Sequence, residues 1–208
     1  MRRLGVVGVA VFLATGLSSP LEAQGMLEFG LSGGASYTRL TGDYIKEANY
    51  KWGFSAGAMV SERQSNWFAN LEVNYIQKGG TATTIKEELI DLKINYVEIP
   101  FILGIGFPGT SASDLGIYGG IAFAFRTTCD ISVGTSPQAD CSNTESWKAK
   151  STEWTVPLGG ALGFNMGGAR VVLDGRYLIG LSQVFDAKDV KNGGWVFLLH
   201  VSFPAIRM

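Results

Sequence analysis

Histidine occurs once in the 208 residues, cysteine twice and proline six times. A single histidine, His200, cannot build a histidine-based metal centre. A catalytic histidine also needs a nucleophile or acid beside it, and no serine here stands in a nucleophile setting. Charged residues make up only 17% of the chain, with a formal charge of −1, so nothing forms the basic footprint of a nucleic-acid binder. Long apolar runs are missing too: after the N-terminus no segment approaches the roughly 20 residues of a membrane helix. Yet 46% of the residues are hydrophobic. Apolar residues without apolar runs must be spread over many short elements.

The one apolar run lies at the start. Arg2 and Arg3 precede Leu4–Leu17, and "LEA" at Leu21–Ala23 offers a cleavage site before Gln24. This has the charged, apolar and small-residue regions of a secretory signal. A membrane anchor is the alternative, but the run is short and no positively charged stop follows. The reading is a cleaved signal at 1–23 and one domain at 24–208. An exported chain can oxidise its cysteines. Cys129 and Cys141 flank the polar stretch "DISVGTSPQAD", and a bridge there would stabilise it by roughly 3 kcal/mol. A metal pair would lack partners.

What is there is alternation. Eight segments repeat with period two: "LEFGLSGGASY", "WGFSAGAMV", "WFANLEVNYIQ", "NYVEIPFILGIGF", "LGIYGGIAFAFR", "EWTVPLGGALGFN", "RVVLDGRYLIGL" and "WVFLLHVSF". One row is large and apolar. The other is mostly Gly, Ala, Ser, Thr and Asn. Each segment has about nine to twelve residues, the length of a tilted strand crossing a bilayer. Long polar connections at Thr38–Lys51, Lys78–Asp91, Thr127–Thr152 and Ser182–Gly193 alternate with short ones. The pattern predicts an all-β fold: an eight-stranded antiparallel up-and-down transmembrane β-barrel, with short periplasmic turns and long extracellular loops.

Residue size decides which row faces in. A water-facing row carries many Lys and Glu side chains, and neither row does. Small residues suit the crowded interior of an eight-stranded barrel. The large row carries Tyr37, Trp52, Trp67, Trp154 and Trp195 near strand ends, as an aromatic girdle at the bilayer interfaces would. The large row is therefore placed against lipid. Glu72, Glu98, Arg126, Asp174 and Arg176 then point into the lumen. Buried charges must be paired, so these five are expected to form one ion-pair network that plugs the barrel. His200 lies on the same row and is read as a core hydrogen-bonding residue. "GIGFPG" matches G-x-G-x-x-G, but a strand follows instead of a helix, so no dinucleotide is expected.

The stretches "GLSGGASYTRLTGD", "GFSAGAMV", "LEVNYIQKGG", "INYVEIPFILGIGF", "IYGGIAFAF" and "LDGRYLIGLSQV", in that order, resemble the PorT-like outer-membrane β-barrel family of Gram-negative bacteria. The resemblance covers the whole chain after the signal. It implies an eight-stranded barrel with periplasmic termini and no settled activity. The chain departs from the usual aromatic end of such barrels, since "PAIRM" follows Phe203.

Together these readings predict a small outer-membrane barrel with a plugged lumen and a structural or surface-contact role carried by its outer loops. It is not expected to be an enzyme or to hold a cofactor or metal. Its expected partners are outer-membrane lipids, the barrel assembly machinery during insertion, and an extracellular ligand at the loops. A narrow porin-like channel is the alternative. A lipid-modifying enzyme and a soluble lipocalin-like carrier follow behind it.

Overall fold

The computed structural model describes residues 25–64, 66–109, 113–141, 147–186 and 188–207. The segment read as a signal lies outside them. Ten strands follow one another among the described residues: β1 (Met26–Thr41), β2 (Ile45–Asn49), β3 (Lys51–Gln64), β4 (Trp67–Thr84), β5 (Leu89–Pro108), β6 (Ser113–Val133), β7 (Ala139–Asp140), β8 (Thr152–Met166), β9 (Ala169–Gly180) and β10 (Lys191–Arg207). Eight close into a ring in the order β1-β3-β4-β5-β6-β8-β9-β10, and β10 returns to β1. Every pairing in the ring is antiparallel. Neighbours in sequence are neighbours in the wall, so the ring is the expected up-and-down barrel. The two further strands are short additions, β2 against the upper part of β4 and β7 against β6.

The strands are longer than the alternating segments suggested. β6 has 21 residues. At ~3.4 Å per residue it is about 70 Å long, and tilted by ~40° it rises about 50 Å, twice the ~25 Å apolar band of such barrels. Much of what reads as loop is therefore wall. The stretch Lys78–Asp91 is mostly the upper ends of β4 and β5, joined by residues 85–88 alone. The opposite rim carries the short turns. Between β8 and β9 the turn is Gly167–Gly168, both with positive φ, 66° and 158°, which side chains rarely adopt.

Along β5 the sense of the alternation inverts. In the upper third Ile90, Leu92 and Ile94 point inward and are fully buried, while Asp91 and Lys93 face out. Below Tyr96 the inner row carries Glu98, Pro100, Ile102 and Gly104, and the outer row becomes apolar with Val97, Ile99, Phe101 and Leu103. The strand thus passes from a water-soluble barrel, apolar inside, to a lipid-facing one. β6 makes the same passage with one extra residue, Thr127, opposite the Asn95–Tyr96 step. This bulge keeps Cys129 and Ile131 on the inner face, in line with Ala122 and Ala124.

The apolar core is centred on this upper part and reaches down to Val196 and Leu198, opposite Arg176 and Asp174. Leu40, Ile90, Leu92, Ile131, Trp147, Phe185 and Val190 pack together in the upper part, closed by the Cys129–Cys141 disulfide, whose Cα atoms are 5.5 Å apart. In the membrane part the large residues face outward: Leu31, Val73, Leu103 and Leu173 are 50–69% exposed. An apolar surface of that extent is matched by lipid, not by water.

Candidate functional site

The lumen is the candidate site, and its charges fall into three layers. The middle layer centres on Arg176 of β9. Its Nη1 and Nη2 donate to Glu72 Oε2 and Oε1 at 2.9 and 3.0 Å. Its Nη2 and Nε donate to Asp174 Oδ2 and Oδ1 at 2.8 and 3.1 Å. Glu72 lies on β4, directly across the ring, so this pair ties opposite walls. Asn74 Nδ2 donates to Glu72 at 2.8 Å, and the Tyr118 hydroxyl donates to Asp174 at 2.6 Å. All three charged side chains are at most 5% exposed. Bidentate, fully hydrogen-bonded geometry is what a buried guanidinium needs to offset its desolvation.

The upper layer centres on Lys78 of β4. Its ammonium donates to Glu98 Oε2 and lies 3.5 Å from Glu153 Oε1. Asn192 donates to the other oxygen of Glu153 at 3.0 Å. The ring of Tyr96 closes over the ammonium, its centroid 5.4 Å away. The lower layer, near the short turns, joins Arg170 to Asp114 at 2.5 Å. Arg63 stands 3.9 Å from Asp114 and 4.0 Å from Glu28. Phe68 fills the space between the lower and middle layers. A Cβ on Gly104 would lie 2.2 Å from its ring, so glycine there makes the room. Between the lower and middle layers lies a cavity of about 30 Å³, the space of a water or two.

Of the five lumenal residues predicted, three come together: Glu72, Asp174 and Arg176. Glu98 belongs to a separate layer, opposite Asn74 and one step of the inner row above Glu72, and its partner is Lys78. The sequence reading assigned Lys78 to a loop and so missed it. Continuing the inner row Asn70–Glu72–Asn74–Ile76 by two residues would have found it. Arg126 makes no ion pair with these carboxylates. It is half-buried beside the β6 bulge, where its main-chain N–H donates to Ser151 at 2.8 Å. His200 lies beside Asp174 with Nε2 3.5 Å from Oδ2, at the edge of hydrogen-bond reach. Neither of its ring nitrogens has a closer partner among the described residues.

The girdle residues stand on the outer face. Trp52, Trp67, Trp154 and Trp195 are 41–64% exposed. Tyr37 lies between the rings of Trp52 and Tyr50, 4.4 and 4.6 Å away. Trp67 opens β4 at the short-turn rim, and the others stand near the opposite one, so the apolar band has an aromatic at both edges.

A charge-layered interior, an apolar exterior and aromatics at both edges describe a barrel that lives in lipid. The model of the outer membrane protein beta-barrel domain family matches residues 18–186. The chain belongs to this family. Its place is thus the bacterial outer membrane, with the long rim and apolar-cored dome on one side of the bilayer and the short turns on the other. No curated protein matches the chain. Among solved structures it is similar to Ail, the attachment invasion locus protein of Yersinia pestis, in complex with the heparin analogue sucrose octasulfate. The identity is 17% over 86% of this chain and 99% of that one, with a TM-score of 0.43. It is also similar to Neisserial surface protein A, at 15% identity over 84% and 97% and a TM-score of 0.49. The solid-state NMR structure of AlkL in DMPC bilayers matches at 10% identity over 92% and 94%, with a TM-score of 0.37.

Proposed function

We propose that this outer-membrane barrel is a non-conducting scaffold that presents its extracellular dome for contact at the cell surface. The observation that carries the reading is the contrast between the two halves of the molecule. The lumen is filled by paired charges tied across opposite walls, while the extracellular part is a disulfide-closed body packed on an apolar core. Binding surfaces are commonly loops held on such a scaffold. The finer placement among PorT-like barrels rests on the quoted sequence stretches. The reading includes no catalytic residue: Arg176 and its carboxylates are engaged with one another, and His200 is buried away from the lipid face.

The dome segment between Cys129 and Cys141, with the short strand β7, is the proposed contact surface. A test is to express the protein on a non-adherent bacterial cell and measure attachment to a panel of glycan and protein surfaces. Replacing residues 130–140 by a short turn should abolish any attachment that the full protein confers, while the barrel still shifts on unheated gels. Equal attachment by the two forms, or none by the full protein on any surface, would contradict the proposal.

A further inference from the structure

The wall is not continuous at its outer edge. β3 and β4 pair from Gln64↔Trp67 up to Ser55↔Ile76 and then part. Above that point β3 follows β1, with Tyr37↔Trp52 and Thr38↔Lys51. The upper edge of β4 is taken over by β2, but only from Thr81, opposite Asn49. The backbone of Gln77–Gly80 is thus left without a strand neighbour on that side. Side chains of β1 reach across behind it: Ser36 Oγ donates to the Gln77 carbonyl at 2.5 Å, and Thr38 Oγ1 donates to the Gly79 carbonyl at 3.0 Å. In front a niche of about 130 Å³ remains, lined by Thr38, Lys51, Trp52, Gly53, Gln77, Lys78 and Lys93. That is far above the ~10–15 Å³ that one water needs.

Its lining holds three lysines and no acidic residue. Lys78, at the back, is already matched by Glu98 and Glu153 on the lumen side. Lys51 is shared with Asp91 and its side chain is 36% exposed. Lys93 makes no ion pair with the described residues. Near the niche, Arg39 stacks over Tyr50 at 5.0 Å, and its Nε is buried without a hydrogen-bond partner among the described residues. The niche therefore has unspent positive charge and donors facing outward.

Its height decides the ligand. Lys93 lies on the outer row of β5 just above the point where that row turns apolar at Val97. Trp52, 64% exposed, forms one lip of the opening, and below it Phe54 stacks on Tyr75 with centroids 5.4 Å apart. A ligand seated here meets cations at the level of the headgroups and aromatic and apolar surface beneath. That is the chemistry of a phosphorylated lipid: phosphate above, acyl chains below. We infer that the β3–β4 niche binds the phosphate of an outer-leaflet lipid headgroup through Lys51 and Lys93, with the acyl chains lying on Trp52, Phe54 and Tyr75.

The test uses the protein from residue 24 onward, refolded in detergent and titrated with phosphorylated lipid A, with its dephosphorylated counterpart, and with inorganic phosphate. Bound lipid is counted by native mass spectrometry. The phosphorylated lipid should be retained better than the dephosphorylated one by about tenfold, the factor one charge-assisted contact supplies. A Lys51→Met/Lys93→Met variant should lose that preference, while Lys86→Met at the hairpin tip should keep it. Lys93 stands on the outer row of β5, and Lys51 is 36% exposed at the edge of the niche, so the double variant should retain its gel shift. If it does not, Lys93→Gln alone must still weaken retention. Equal retention of the two lipids overturns the inference, as does an undiminished preference in the variant. Displacement of the lipid by an equal concentration of inorganic phosphate overturns the lipid as the source of the anion.

Discussion

Replacing Arg176 by methionine probes the lumen most sharply. The guanidinium makes four charge-assisted hydrogen bonds, two to Glu72 and two to Asp174. It also lies over the Tyr118 ring, 5.6 Å from its centroid. Methionine fills similar space but leaves two carboxylates, 1% and 5% exposed, with no cation between them. Breaking a buried pair from one side costs about 3–5 kcal/mol, because the charge left behind is uncompensated. An exposed pair costs ~0–1 kcal/mol. Lys46–Glu87, 3.2 Å apart with side chains 54% and 77% exposed, is the internal control. Urea unfolding from short-chain lipid vesicles, followed by tryptophan fluorescence, measures both. Arg176→Met should lose about 3–5 kcal/mol and Lys46→Met about 1 kcal/mol at most. Adding Glu72→Gln and Asp174→Asn to Arg176→Met should recover most of the loss, since a neutral replacement of the whole buried group removes the unpaired charges. A loss below about 1 kcal/mol in Arg176→Met would refute the reasoning and would mean that water reaches the layer.

Two other outcomes follow from the dome. Converting Cys129 and Cys141 together to serine should lower stability by about 2–4 kcal/mol in the same unfolding assay. The cost should appear without change in the gel shift, because the bridge closes the dome and not the ring. Lys188 sits over the ring of Trp147, its ammonium 3.0 Å from the centroid, and 5.2 Å from that of Tyr44. The rings favour its charged form. Burial dominates and pulls the pKa from 10.5 down to about 8, partly offset by Glu88. The folded value is lower than the unfolded one, so the charged form is disfavoured on folding. That penalty is present below about pH 8 and is relieved as the pH rises towards 10.5. Amine acylation read by mass spectrometry should show a midpoint near 8 for Lys188. A midpoint near 10 for Lys188 would contradict this.

The ring of strands and the orientation of its two rows were legible because a barrel wall repeats one short rule. The inner row is small, as at Gly104 and Gly159, where a Cβ would collide with Phe68 and Tyr118. The outer row is large, as from Val97 to Phe107. The dome was not legible, because it uses the same period with the opposite sign. Ile90, Leu92 and Ile94 continue the inner row of Glu98, but they are large and apolar while Asp91 and Lys93 make the outer row charged. A reading tuned to lipid takes the change of sign for the end of the strand. The misplacement of Lys78 and the lumping of Glu98 with Arg176 both come from this. Arg126 does keep the inner-row position the count gave it, opposite Tyr96, but row position alone does not place a carboxylate within its reach. Pairing across the ring, in contrast, followed from strand order alone, since Glu72 and Arg176 stand on opposite strands of an eight-membered closure.

The account turns on a closed lumen. The measurement that tests it most directly is single-channel conductance of the refolded chain from residue 24 onward in a planar bilayer, beside Arg176→Ala. Three charge layers and an apolar dome lie in series, so the account predicts silence from the wild type and from Arg176→Ala, whose loss leaves the Lys78–Glu98–Glu153 layer and the dome in place. Steady, ion-selective steps from the wild type would contradict it, and would make Glu98, Lys78 and Arg176 the lining of a conducting path.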